Sequence, residues 1–239
     1  MRSPKAAVPM SPAPERSDNA VARGRQVTLT FDNGPTPGVT DEVLDILAER
    51  SLRAIFFVVA NRVDGDAAAR ALLTRMIRDC HRVGNHSLTH GRPLGELSEQ
   101  ETIAEIATAH DVLREFTGER FLLRPWGTEG QLDRRCLNRT AVDYLVSGHH
   151  TCVLWNSVPR DWADPVGWVD RALADVRAQE HTVVVIHDLP SGAMRELPRF
   201  LDELDRDGVA VTDELPEDCL PIIGGRLVNP VDHLMPLLS

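Results

Sequence analysis

The stretch QVTLTFD at residues 26–32 combines β-branched and apolar residues and ends in a carboxylate, and it predicts a buried strand. The sequence TDEVLDILAER at residues 40–50 follows, with Thr40 as the predicted N-cap and apolar residues on one helical face. The next run, AIFFVVA at residues 54–60, is almost wholly apolar, as expected of a strand covered on both faces. A strand, a helix and a second buried strand in this order predict a parallel βαβ unit.

The same alternation continues to about residue 212. Further helices are predicted at residues 66–82, 98–116, 135–146, 165–179 and 195–206. Further strands are predicted at residues 121–125, 152–158, 182–187 and 209–212. Gly84 is the predicted C-cap of the second helix, and Ser98 with Glu101 form a predicted capping box at the start of the third. Six or seven such repeats predict the α/β class, with a mainly parallel sheet that is open or closed into a barrel.

The length and composition predict a single domain. The chain has 239 residues with 42% apolar content, enough for one large core. We expect this domain to span residues 25–239 and to end in an irregular tail over residues 214–239, where four prolines lie among apolar residues. Residues 1–24 are rich in proline and small polar residues and predict a flexible leader, to which we assign no function.

Charge and hydropathy exclude several classes of partner. The formal net charge is -10, which disfavours binding to nucleic acid or to an anionic membrane surface. The chain contains no apolar segment of the length typical of a secretory signal or a membrane span, so we expect a cytoplasmic protein. The four cysteines form no CxxC pair, and we interpret them as buried or idle thiols.

Five short segments carry the chemistry, and each ends or follows a predicted strand. They are TFDNGP at residues 30–35, NHSLTH at 85–90, LLRPWG at 122–127, RDW at 160–162 and VVVIHD at 183–188. The groups that matter here are a carboxylate in the first segment, two imidazoles in the second, a guanidinium in the third, a second carboxylate in the fourth and a third imidazole in the fifth. The carboxyl ends of strands are where α/β barrels and open sheets build their sites. This inventory predicts a hydrolytic metal site.

Each segment also has an ordinary structural interpretation. His86 and His90 are four residues apart and can reach one ion, but this spacing alone is a weak signal and is compatible with two unrelated surface histidines. Asn33 and Gly34 form a common turn dipeptide. The arginine and the second aspartate are compatible with ordinary ion pairs. The imidazole of His187, at the end of an apolar run, needs either a hydrogen-bond partner or a cleft.

Taken together, the five segments resemble the polysaccharide deacetylase family, also called the NodB-homology family or carbohydrate esterase family 4, over residues 26–212. TFDNGP is similar to that family's TFDDGP, NHSLTH fits its H(S/T)xxH, and VVVIHD looks like its hydrophobic strand ending in His-Asp. The resemblance implies a distorted (β/α) barrel with mainly parallel strands.

The resemblance also implies a role for each matching residue. Asp32 matches the catalytic base, and Arg124 matches the residue that orients it. His86 and His90 match the metal-binding imidazoles, and Trp126 matches the residue whose backbone N–H helps to hold the oxyanion. His187 matches the general acid, and Asp161 matches the partner of that catalytic histidine. Trp162, which follows Asp161 in the RDW segment, is grouped with Trp126 on the substrate side.

Two departures from the family pattern concern the metal and the third segment. Asn33 stands where the family usually has a second aspartate as metal ligand, and LLRPWG is one residue shorter than the usual RPPYG-like run. An amide oxygen can still coordinate a cation, but it is neutral and stabilises the positive charge less than a carboxylate does. The same neutrality leaves the cation more electron-poor.

These observations predict a metal-dependent hydrolase that removes an N-acyl group, such as acetyl, from an amino sugar or a small acylated molecule. The expected cofactor is a divalent metal, with Zn favoured and Co, Fe, Ni or Mn as alternatives. The expected partner is a small-molecule or oligosaccharide substrate. One alternative is a deformylase or an amide or imide hydrolase acting on a non-sugar substrate. A second is an inactive, metal-poor binding module, for which Asn33 is the only support in the sequence.

Overall fold

The computed structural model describes residues 24–237, so the predicted leader lies outside the described residues apart from Gly24. The strands are β1 (Gln26–Asp32), β2 (Ile55–Val58), β3 (Arg82–Asn85), β4 (Leu122–Leu123), β5 (Thr151–Cys152), β6 (His181–His187), β7 (Ala210–Thr212), β8 (Ile222–Ile223) and β9 (Arg226–Leu227). The helices are α1 (Val39–Glu49), α2 (Ala67–Arg78), α3 (Glu99–Thr117), α4 (Arg139–Ser147), α5 (Trp168–Ala178) and α6 (Leu197–Arg206).

The strands form one curled, mostly parallel sheet. Its order is β6-β1-β2-β3-β4-β5, extended by the antiparallel β8 and β9, and β7 pairs with the first half of β1. Beyond β5, Ser157 pairs in parallel with Val184 of β6, and its carbonyl accepts a hydrogen bond of 3.0 Å from the Val185 N–H. The chain after β5 therefore returns to the opposite edge of the sheet, which confirms the predicted distorted (β/α) barrel.

The position of β1 and β2 in the hydrophobic core accounts for their apolar sequences. Both are buried along almost their whole length, and the rings of Phe31 and Phe56 stack between them at 4.9 Å. On the helical layer, Trp168 of α5 packs edge-on against Phe200 of α6 and donates its indole N–H to a backbone carbonyl at 3.0 Å. Burial of each large apolar side chain contributes roughly 1.5–3 kcal/mol to stability. The central strands are thereby fixed in place, together with the residues at their ends.

The prediction of a helix over residues 66–82 is wrong at its C-terminal end. The helix ends at Arg78, and Gly84 lies inside β3 instead of forming the C-cap. Gly84 pairs with Phe57 of β2, and a Cβ atom at Gly84 would lie 2.6 Å from the Phe57 ring. The glycine is therefore required by close packing between two strands and does not terminate the helix.

Thr40 is not the N-cap of α1. The helix begins at Val39, and its N-cap is Gly38, whose φ is 88°. The Thr40 hydroxyl instead accepts a hydrogen bond from the Thr36 N–H at 2.7 Å and donates one to the Asp188 carboxylate at 2.5 Å. The capping box at the start of α3 is confirmed, since Ser98 and Glu101 exchange hydrogen bonds.

Other boundaries differ by a few residues. The helix predicted from residue 135 begins at Arg139, the one predicted from 165 begins at Trp168, and the extended stretch predicted over 152–158 contributes a strand only at Thr151–Cys152. Turns precede Trp168, and after Cys152 the Leu154 N–H donates to the Cys219 carbonyl instead of to a neighbouring strand.

The predicted irregular tail contains the β8–β9 hairpin, with Ile222 of β8 pairing to Cys152 of β5. The turn residues Gly224 and Gly225 both have positive φ, at 55° and 81°, as expected of a two-residue hairpin turn. The dipeptide Gly-Gly between Ile222–Ile223 and Arg226–Leu227 is the sequence signal for this turn. Among the helices over residues 24–237, none combines the length and apolar character needed to cross a membrane.

A buried histidine outside the residues at the carboxyl ends of the strands directly precedes β5. His150 is 6% exposed, its ring stacks on Phe121 at 3.9 Å, and Tyr144 lies on it at 5.8 Å. Its Nδ1 atom has no hydrogen-bond partner among the described residues. Burial, together with the nearby His110, lowers the pKa of His150 to about 4. The protonated form is therefore disfavoured in the folded protein.

We predict that acid destabilises the fold partly through His150. Between the ordinary histidine pKa of about 6.5 and the folded pKa of about 4, the unfolded chain binds a proton that the folded chain does not. The free energy of unfolding should therefore fall as the pH is lowered through this window. In His150→Phe, which keeps an aromatic ring but cannot titrate, the fall should be smaller. Urea midpoints at pH 7 and pH 5 measure it.

The exposed His233, changed to Gln, is the matched control and should retain the wild-type pH dependence. An identical pH dependence in His150→Phe and wild type would contradict the prediction.

Candidate active site

Four parallel strands bring their carboxyl ends to one end of the barrel. Asp32 ends β1, His86 follows β3, Arg124 follows β4 and His187 ends β6. The register of β1 and β6 places Asp32 directly opposite His187. A cavity of about 370 Å³ opens here, and its lining includes all the residues of the five segments that were predicted to face substrate or metal: Asp32, Asn33, His86, His90, Trp126, Trp162 and His187.

Arg124 holds Asp32 in place. The guanidinium is fully buried and donates from Nη1 to Asp32 Oδ1 at 3.0 Å and to Thr30 Oγ1 at 2.5 Å. Nη2 donates to the Leu154 carbonyl at 3.2 Å, and the ring of Phe57 lies 4.0 Å from the guanidinium carbon. Burial lowers the pKa of Arg124 while Asp32 opposes that effect. One carboxylate oxygen is therefore fixed by the arginine, and the other is left for a second contact.

That second contact is His86. Its Nε2 atom lies 3.7 Å from Asp32 Oδ2. Its Nδ1 atom is 2.8 Å from the Arg124 carbonyl oxygen, and because a carbonyl can only accept, Nδ1 carries the proton. Burial lowers the pKa of His86 to about 3, against the opposing effect of this hydrogen bond. At neutral pH His86 is thus a neutral imidazole with an unprotonated Nε2, the form in which histidine binds metals.

His90 lies beside His86, with ring centroids 4.8 Å apart. The ring stacks on Trp126 at 4.8 Å with an interplanar angle of 22°. Burial lowers the pKa of His90 to about 3, so it too is neutral at neutral pH. The two imidazoles predicted to share an ion are therefore adjacent and uncharged.

The loop that carries His90 is anchored by α3. Glu105 accepts hydrogen bonds from the Leu88 and Thr89 N–H groups at 3.1 and 3.0 Å and from the Thr89 hydroxyl at 2.7 Å. The His90 N–H donates to Ser87 Oγ at 3.0 Å. Sequence reasoning did not single out Glu105, because nothing in the pattern of α3 distinguishes it from a solvated glutamate.

Asn33 supplies an amide oxygen to the same cavity. Its φ is 73°, in the left-handed region that asparagine tolerates better than most residues, and its N–H donates to the Phe57 carbonyl at 3.2 Å. Its Oδ1 atom is buried without a hydrogen-bond partner among the described residues. A buried polar atom of this kind calls for an explanation such as an ion.

The donor set fits a divalent cation, with two neutral imidazoles and an orphaned amide oxygen lining one cavity. Within residues 24–237, no cluster of three or more His, Cys, Asp or Glu side chains is arranged to hold a metal. Because the two imidazoles and the amide are neutral, these ligands stabilise the charge of a cation less than a set that includes a carboxylate.

His187 has a buried carboxylate as its partner. The imidazole Nδ1 atom lies 2.8 Å from Asp161 Oδ1, and the backbone N–H of His187 donates to Asp161 Oδ2 at 2.9 Å. Burial alone lowers the pKa of His187, but the hydrogen bond and the charge of Asp161 outweigh it, so the net shift is upward. Trp162 stands perpendicular to the imidazole at 5.1 Å. The fixed Nδ1 leaves Nε2 as the nitrogen that can exchange protons.

Three further residues support the site and were not assigned a role from the sequence. Thr30 binds Arg124, Trp155 lines the cavity and donates its indole N–H to the Gly130 carbonyl at 2.9 Å, and Asp188 is fully buried beneath Gly34. Burial raises the pKa of Asp188 to about 6. The sequence signal for Thr30 and Asp188 is a polar side chain inside or next to a buried apolar strand, because a buried polar group needs a hydrogen-bond partner.

Comparison with known proteins agrees with this geometry. The model of the polysaccharide deacetylase family matches residues 19–141. A chitooligosaccharide deacetylase from Bradyrhizobium sp. is 34% identical over 77% of this chain and 80% of its own, and a peptidoglycan-N-acetylglucosamine deacetylase from Bacillus cereus is 28% identical over 76% and 83%.

Among solved structures, the peptidoglycan deacetylase PdaC from Bacillus subtilis superposes with a TM-score of 0.63 at 28% identity, covering 79% of this chain and 87% of that one. The predicted enzyme class, a hydrolase of the N-deacetylase type, is confirmed by these relatives. The sequence identity, the matched motifs and the curled sheet show that this chain belongs to the polysaccharide deacetylase family.

Proposed function

We propose that the protein is a metal-dependent N-deacetylase that hydrolyses an N-acetyl or similar N-acyl group on an amino sugar or a small acylated molecule. One observation carries the proposal: a single cavity contains a carboxylate fixed by a buried arginine, two neutral imidazoles and a third imidazole paired with a buried carboxylate. Relatives named as chitooligosaccharide and peptidoglycan deacetylases support an amino sugar as substrate.

His86, His90 and Asn33 would hold the cation. Imidazole ligands suit Zn, with Co, Fe, Ni or Mn as alternatives. A divalent cation bound there would act as a Lewis acid that polarises the amide carbonyl, and it would lower the pKa of water so that hydroxide is available at neutral pH.

The protein's own groups would move the protons. Asp32, held at Oδ1 by Arg124, accepts a proton from the attacking water through Oδ2. The backbone N–H of Trp126 donates to the oxyanion that develops on the carbonyl oxygen. His187, with its pKa raised by Asp161, donates a proton from Nε2 to the departing amine as the carbon–nitrogen bond breaks. The products are the acid and the amine.

A substrate panel tests the reaction class. N-acetyl amino sugars, N-formyl compounds and cyclic imides are incubated with the metal-loaded protein, and the release of acid and amine is measured. Acetate from the amino sugars supports the proposal, whereas turnover restricted to formyl or imide compounds identifies the alternative hydrolase. No turnover of any class, together with sugar binding, identifies an inactive binding module.

Three further expectations accompany the proposal. The cytoplasmic location, the single domain over residues 25–239 and the lack of nucleic-acid or membrane partners stay predictions from the sequence. Cell fractionation tests the first.

We predict that the protein binds one divalent ion per chain and that His86→Ala/His90→Ala abolishes binding, because the double variant removes both imidazoles. Metal content after dialysis and titration calorimetry of the metal-free protein measure this. His233→Ala, which removes an exposed histidine outside the cavity, is the control and should bind normally. Unchanged stoichiometry in the double variant would show that the ion lies elsewhere.

We predict that Asp32→Asn and His187→Ala each lower kcat by at least ~100-fold, because loss of a general base or acid typically reduces the rate by ~100- to 10,000-fold. Steady-state kinetics on the substrate found in the panel measure the effect, with circular dichroism to confirm folding. Wild-type turnover by either variant would exclude the corresponding role.

We predict that Asn33→Asp tightens metal binding by roughly 10- to 100-fold, the scale on which changes around a metal site act. Aspartate also tolerates the left-handed backbone at this position. The added negative charge should weaken the acidifying effect of the cation, so the acidic limb of the pH–rate profile should move to higher pH.

Calorimetry of the metal-free protein and the pH–rate profile measure the two effects. Asn61→Asp, which adds the same charge at an exposed site outside the cavity, is the matched control. If neither the affinity nor the profile changes in Asn33→Asp, then Asn33 is only a turn residue.

A further inference from the structure

The mouth of the cavity carries a charge that the proposed chemistry does not use. Glu129 lines the same cavity of about 370 Å³ as His86 and His90, and its side chain is 59% exposed. Asp32, the other carboxylate in the lining, is buried against Arg124. Glu129 is therefore the acid that an incoming ligand meets first.

The turn that presents Glu129 has a strained backbone and is held by two hydrogen bonds at Gly130. Glu129 has φ 55° and ψ 28°, a left-handed conformation unusual for a residue other than glycine or asparagine. The Gly130 N–H donates to the Gly127 carbonyl at 3.0 Å, and the Gly130 carbonyl accepts from the Trp155 indole at 2.9 Å. Strain that is held in place by surrounding contacts is a recurring mark of functional positions.

Arg160, which lies outside the cavity lining, reaches Glu129 from the loop that carries Asp161. Its Nη2 atom lies 3.2 Å from Glu129 Oε2, and about half of each side chain is exposed. An ion pair this exposed is weak, so another cation can compete for the carboxylate. The guanidinium also lies 6.0 Å from the ring of Trp162, a contact that it can keep when Glu129 changes partner.

From this geometry we infer that Glu129 is a specificity residue that binds a substrate ammonium group at the mouth of the cavity. The inference rests on the proposed function and narrows its substrate class to amino-sugar oligosaccharides that carry a free amine close to the scissile acetamide. A ligand that fills the cavity can contact both the imidazoles and Glu129, because all of them line it. The net charge of -10 also attracts cations in preference to anions.

The test compares two disaccharides of the same amino sugar, one with two acetamido groups and one with a single acetamido group and a protonated free amine. Binding of each to the metal-loaded protein is measured by calorimetry, and acetate release is followed in parallel. We expect the wild type to bind the cationic disaccharide about 3- to 10-fold more tightly at low salt, and the preference to shrink as salt is added.

Glu129→Gln keeps the size of the side chain and removes its charge, so it should abolish the preference while leaving the affinity for the neutral disaccharide within about 2-fold. Glu49→Gln removes the same charge from an exposed site outside the cavity and should keep the preference. Equal binding of the two disaccharides by wild type, no binding of either, or a preference that survives in Glu129→Gln, overturns the inference. Acetate release reports on the proposed function independently of these affinities.

Discussion

The buried ion pair between Arg124 and Asp32 is the interaction on which the candidate active site depends. The guanidinium has no exposed surface, and its partners are Asp32, the Thr30 hydroxyl and backbone carbonyls beyond β5. Loss of one partner from such a pair typically destabilises a protein by about 3–5 kcal/mol, because a buried charge is left uncompensated. The pair thus ties β1, β4 and the segment after β5 together, and it fixes the carboxylate proposed to act as base.

The surroundings shift the pKa values of the three imidazoles of the cavity in different directions. Burial lowers the pKa values of His86 and His90 to about 3, which keeps both neutral. Asp161 raises the pKa of His187 in spite of its burial. Groups with separated pKa values within one site are what acid–base chemistry requires. The division between the proposed metal-binding and proton-donating roles therefore follows from burial and from the position of Asp161 beside His187.

Much of the fold and of the candidate site was predictable because the signals are local. The apolar runs that became β1, β2 and β6 and the capping box at Ser98 were read correctly, since each depends on residues close in sequence. The predictions that were wrong depended on distant partners. Gly84 was assigned to a helix end, although the ring of Phe57 is what requires a glycine there, and Thr40 was assigned as a cap, although Asp188 binds its hydroxyl.

The sequence by itself determined the alternation of strands and helices, the family and the side chains proposed to react, because periodicity and short motifs are properties of neighbouring residues. Only the tertiary structure decided which nitrogen of His86 is protonated, that Asn33 has an unpaired amide oxygen, and that Glu129 lines the cavity and pairs with Arg160. These features depend on parallel strands whose ends meet after long crossovers and on burial that shifts pKa values. Neither is encoded in the spacing of residues along the chain.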